Sequence, residues 1–93
     1  MTTVADRIRR KLTSALAPSH IAVIDESHRH AGHAGSRPQG ETHFRVEITS
    51  AAFAGLSRVA RQRLVYDVLA EELRDPVHAL SLATTTPEEA GAG

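Results

Sequence analysis

The sequence predicts one α+β domain in the order α-β-β-α-α-β-α, with helices covering one face of a small sheet. Three observations carry that class. Apolar residues at four-residue spacing open the chain, strict alternation over residues 42–49 marks a half-buried strand, and a longer helical repeat separates that strand from a third, β-rich segment. At 93 residues and 41% apolar content the chain can build a single core, so residues 1–93 are read as one domain without repeats or linkers.

Val4, Ile8, Leu12 and Leu16 recur every fourth residue while Arg7, Arg9, Arg10 and Lys11 take other faces, which makes the first element an amphipathic helix stopped at Pro18. Residues 20–26 (His-Ile-Ala-Val-Ile-Asp-Glu) read as a strand rich in β-branched side chains. Residues 27–41, with Gly32, Gly35, Pro38 and Gly40, form a loop. In the alternating strand, Phe44, Val46 and Ile48 face one way and His43, Arg45 and Glu47 the other. Phe53 and Leu56 belong to a short helical segment around Gly55. Ser57 then caps a longer helix, 57–74, that carries Val65, Val68, Leu69 and Leu73 and ends at Asp75-Pro76. Residues 77–84 make the third strand. Thr86-Pro87-Glu88-Glu89 opens a last short helix with a cap, a proline at the first position and acids in the first turn. The ordered core spans 4–89, and residues 90–93 are expected to fray.

Composition excludes several classes. The chain has no cysteine, so it cannot by itself build a disulfide framework, a thiolate nucleophile or a zinc– or iron–thiolate site. Eleven basic residues balance eleven acidic ones, so any positive region must be a local patch. No apolar run approaches the ~20 residues of a membrane span, and the first residues lack the order of a signal peptide, which makes the cytoplasm the expected compartment. Six histidines stand against one tyrosine, two phenylalanines and no tryptophan, so imidazole is the side chain to follow.

His28, His30 and His33 lie within six residues on the glycine-containing loop, where they either converge on one metal ion or remain a solvated tract. His78 sits at the start of the third strand, where a side chain leaves the sheet to meet a ligand or caps a nearby carbonyl. His20 and His43 read as ordinary, one preceding a strand and the other on a polar face. Arg58, Arg61 and Arg63 crowd the start of a helix whose end carries Glu71, Glu72 and Asp75. That order opposes the helix macrodipole, each charge by about 0.3–1 kcal/mol, and fits a site for an anion or an acidic surface as well as simple pairing with carboxylates. Catalysis finds no candidate. Asp25, Ser27 and His28 have the letters of a triad, but neighbours in a strand face opposite ways. Lys11 is the only lysine, so no Walker motif is present.

Read together, Asp25-Glu26-Ser27-His28-Arg29-His30-Ala31-Gly32-His33, Glu41-Thr42-His43-Phe44-Arg45-Val46, Phe53-Ala54-Gly55, Arg61-Gln62-Arg63-Leu64-Val65, Leu69-Ala70-Glu71-Glu72-Leu73 and Val77-His78-Ala79-Leu80 resemble the BolA family over nearly the whole chain, from Val4 to Glu89. The resemblance implies a class II KH-like fold with a three-stranded mixed sheet. It also implies an adaptor, not an enzyme, that pairs with a monothiol glutaredoxin and shares a [2Fe–2S] cluster, in iron–sulfur trafficking or iron-dependent regulation. Thiolates would come from the glutaredoxin and its glutathione, and no cluster would be bound by this chain alone. His78 matches the family's C-terminal histidine ligand. The second ligand comes from the loop, with His30 the best match and His33 its competitor. The family's other activity, transcription-regulator-like DNA binding, maps to the helix at 57–74 with Arg58, Arg61 and Arg63. Two departures stand there: Gln62 lies between the arginines where the family commonly has histidine, and Gly55 is not one of a glycine pair. No membrane role is implied, and a weak homodimer is compatible with the sequence.

Overall fold

Helix α1 (Val4–Leu16) starts at a reciprocal cap: the Thr3 hydroxyl accepts the Asp6 amide at 3.1 Å and the Asp6 carboxylate accepts the Thr3 amide at 3.3 Å. All four of its spaced apolar residues are buried. The helix ends at Ala17, held in the left-handed region at φ 43° with its amide on the Thr13 carbonyl, and the buried Ser50 hydroxyl donates to the Leu16 carbonyl at 2.6 Å. The computed structural model describes residues 3–26, 42–75 and 77–91.

The sheet has three strands in the order β1-β2-β3. β1 (His20–Asp25) pairs antiparallel with β2 (His43–Thr49), and β3 (Ala79–Thr85) pairs parallel with β2, so the sheet is mixed as expected. Phe44, Val46 and Ile48 are buried on the helix side, where they meet α1 together with Phe53, Val65, Leu69 and Val77. Alternation therefore assigned the β2 faces correctly: His43, Arg45 and Glu47 lie on the other, partly exposed face.

Several boundaries differ from the expectation. The helix expected over 57–74 comes as α2 (Arg58–Val68) and α3 (Ala70–Arg74), interrupted at Leu69 (φ −101°, ψ 20°). The break is slight, since the Leu69 amide still reaches Val65 and the Leu73 amide still reaches Leu69. Around the break, Leu69 and Glu72 both turn inward and are fully buried. The segment near Gly55 is a 3-10 turn (Ala51–Phe53), followed by Gly55 at φ 77°, the backbone conformation that glycine adopts without strain. β3 begins at Ala79, not Val77, because Val77 goes into the core and the next two amides turn to Thr42. α4 (Pro87–Gly91) continues through residues expected to fray. The loop 27–41 with its histidines, Pro76 and residues 92–93 lie outside the described residues. Among the described residues, no helix is long and apolar enough to cross a membrane.

Candidate functional site

Parallel pairing brings the starts of β2 and β3 together, with His43 opposite Ala79. Thr42, fully buried just ahead of β2, organises this corner. Its carbonyl accepts the His78 amide at 2.7 Å and the Ala79 amide at 3.2 Å. Its hydroxyl lies 2.9 Å from Nδ1 of His43. The His43 and His78 rings stand 6.2 Å apart between centroids, tilted by 36°. The His78 backbone is thus fixed by a buried residue while its side chain is exposed. A hydrogen bond to one ring nitrogen of His43 restrains that ring, as the outer partners of metal-ligating imidazoles commonly do.

The sequence reading left His43 as ordinary, and the fold places its ring beside His78. Its place on a polar face gave no signal; the parallel register of β3 on β2 would have given it. Of the expected ligands, His78 is here and beside another imidazole, whereas His28, His30 and His33 belong to the segment outside the described residues. Both ends of that segment attach at this corner, since β1 ends and β2 begins where Asp25 pairs with Phe44. Among the described residues, no group of three or more metal-ligating side chains forms.

The three arginines do not form one patch. Arg61 is drawn in: Nε donates to the Leu56 carbonyl and Nη1 to the Thr84 carbonyl, each at 3.1 Å, and the guanidinium pairs with both oxygens of Glu89 at 2.7 and 3.0 Å. Glu89 also closes a cap with Thr86, accepting its amide at 2.9 Å while the Thr86 hydroxyl accepts the Glu89 amide at 3.1 Å. The Arg61 hydrogen bonds and the Thr86 amide hold the Glu89 carboxyl down to about 2. Arg61 therefore clasps α2, the end of β3 and α4 together, with its charge answered locally. Arg58 and Arg63 are exposed, without an ion pair among the described residues.

A second charged cluster is structural. Glu72 is fully buried and accepts hydrogen bonds from Arg7 at 2.8 Å and Lys11 at 3.0 Å, tying α3 to α1. Burial pushes its carboxyl up, but hydrogen bonds from Lys11, the Glu72 amide and Arg7 outweigh this and hold it below its ordinary value. Arg7 and Lys11 of α1 are thus the partners of acids at the end of the 57–74 segment, both meeting Glu72 and Lys11 also lying 3.7 Å from Glu71.

Comparison with known proteins gives one answer. The chloroplastic protein BOLA1 of Arabidopsis thaliana is 48% identical over 87 residues, covering 91% of this chain and 54% of that protein, so the chain spans about half the length of that relative. The DNA-binding transcriptional regulator BolA of Escherichia coli is 44% identical over 86 residues, covering 92% of this chain and 78% of that protein. Among solved structures, the BolA domain of SufE1 from Arabidopsis thaliana superposes with a TM-score of 0.85 at 46% identity, covering 96% of this chain and 98% of that one. The family model for BolA-like proteins matches residues 12–89, and with these relatives the chain belongs to the BolA family.

Proposed function

We propose that this chain is an adaptor that docks on a monothiol glutaredoxin and shares a [2Fe–2S] cluster with it through histidine. The observation that carries this reading is the exposed His78 imidazole, on a backbone held by hydrogen bonds from the His78 and Ala79 amides to the carbonyl of buried Thr42, with the His43 ring 6.2 Å away, in a chain without cysteine. Two imidazoles at one exposed corner suit a metal centre whose thiolates come from elsewhere. The cluster itself supplies the redox and iron chemistry. This chain's part is to present His78, with His43 beside it and His30 or His33 on the adjoining loop, and to cover the partner's side of the centre. The test is anaerobic titration of the protein into a cluster-loaded monothiol glutaredoxin, followed by visible circular dichroism. A new spectrum saturating at one chain per cluster is expected. An unchanged spectrum removes the partnership.

The Escherichia coli relative, named as a DNA-binding regulator, supports a second reading through α2. Arg58 and Arg63 would carry it, because Arg61 is engaged by Glu89. Each phosphate contact contributes close to one unit of salt slope, so Arg58→Ala with Arg63→Ala should lower duplex affinity and flatten its salt dependence by about two units. Filter binding at several salt concentrations reads this directly. Equal affinity in the wild type and the double variant would take α2 out of DNA recognition.

A further inference from the structure

β3 ends the sheet, and among the described residues no strand pairs with its outer edge. Alternate residues of a strand turn both backbone polar groups to the same side. Thr85 faces β2, where its carbonyl accepts the Ser50 amide at 2.9 Å, and Thr84 faces outward, where its carbonyl takes Arg61. Leu80 and Leu82, in step with Thr84, therefore direct their N–H and C=O groups to the open edge. Folded proteins usually protect such edges with lysine, proline or a bulge. β3 reads Ala-Leu-Ser-Leu-Ala-Thr-Thr, with no charge and no proline.

A groove of about 210 Å³ runs beside this edge, lined by Arg58, Gln62, Leu82, Ala83, Thr84 and Thr85. Arg58 and Gln62 are one turn apart on α2, and Tyr66, 39% exposed, continues the same row by another turn. None of these three side chains makes a hydrogen bond or a close ion pair among the described residues, although the Arg58 charge acts through space on the Glu89 carboxylate.

We propose that the open edge of β3, with the Arg58–Gln62–Tyr66 row above it, binds an extended acidic segment of a partner protein as a fourth strand. The edge supplies main-chain hydrogen bonds, Leu82 and Tyr66 supply apolar contact, and Arg58 supplies a charge that selects an acidic side chain. Charge decides among occupants. Nucleic acid needs several cations along its path, and Arg58 is the one cation lining this groove, in a chain of net charge zero. A second copy of β3 would bring Arg58 no counter-charge, since that strand has no acid. The inference is independent of the glutaredoxin reading.

The experiment uses the intact chain and a fluorescein-labelled ten-residue peptide of alternating threonine and glutamate. Saturable anisotropy is expected, with slowed amide exchange at Leu80 and Leu82. Arg58→Glu, at an exposed position that leaves the core alone, should weaken binding by about tenfold, and a threonine–lysine peptide should fail to bind. Absence of binding at concentrations on the order of 1 mM overturns the proposal. So does equal affinity in Arg58→Glu. Displacement of the peptide by a ten-nucleotide single-stranded DNA at lower concentration would assign the groove to nucleic acid, and loss of peptide binding on concentration-dependent dimerisation would assign the edge to self-association; either result also overturns it.

Discussion

Replacing His78 with alanine should abolish the circular-dichroism signature of the shared cluster and leave the fold intact. The two effects separate because the anchor and the ligand are different parts of the residue. The anchor is the amide, donated at 2.7 Å to buried Thr42, and alanine keeps it. The imidazole is exposed, so its removal should change stability by no more than about 0.5 kcal/mol. Far-ultraviolet circular dichroism and the thermal midpoint check the fold; the visible spectrum after titration checks the cluster. A visible signature that survives the substitution would mean that His78 is not a ligand. His43→Ala provides the comparison. It removes the ring that meets the hydroxyl of fully buried Thr42, at a cost of about 1 kcal/mol. It should weaken the cluster signature without eliminating it, because His43 stands beside the proposed ligand and restrains the same corner.

The largest loss of stability is expected at Glu72. Glu72→Ala removes a carboxylate whose side chain is 1% exposed and which accepts from both Arg7 and Lys11. Those two partners are 37% and 32% exposed, so water can take over part of their solvation and soften the loss. A decrease of about 2–3 kcal/mol is expected, which in a domain of this size lowers the thermal midpoint by about 10–20 °C. The pH dependence follows from the direction of the shift. The folded carboxyl is held below its ordinary 4.5, so Glu72 contributes fully above that value and progressively less as the pH falls through the folded value. The wild type should therefore lose stability on acidification below about pH 4.5 more steeply than Glu72→Gln does. Chemical denaturation at pH 7 and pH 3 reads both effects, and a midpoint unmoved by Glu72→Ala would make the pair neutral to stability.

Most of the architecture was legible because it rests on local period and punctuation. Four-residue spacing gave α1 and its buried face, alternation gave the faces of β2, and Thr86-Pro87 gave the start of α4. What local reading could not supply was pairing across the chain. Glu72 read only as one of three acids at a helix end until α3 was seen against α1. Arg61 looked like part of a basic patch until Glu89, 28 positions away, was seen to hold it. His43 looked ordinary because nothing near it in sequence shows that β3 starts alongside. In each case the local cue was a charge or a polar face, and its meaning lay in a partner brought by the fold. The break at Leu69 was hidden for a related reason: helix 57–74 has continuous apolar spacing, and the break is a matter of backbone angle.

The parallel pairing of β2 with β3 has one more consequence. A parallel neighbour cannot be reached by a tight turn, so α2 and α3 carry the chain back along the sheet before β3 begins. His43 and His78 stand at the leading end of β3, and the Arg58 groove takes in Leu82 to Thr85 toward its trailing end, so the nearest lining residue is four positions, about 13 Å, beyond His78. On the two proposals taken together, the domain would be bivalent, a short bar that keeps two bound molecules at a set spacing, so that what is held at one end is already concentrated near what is held at the other.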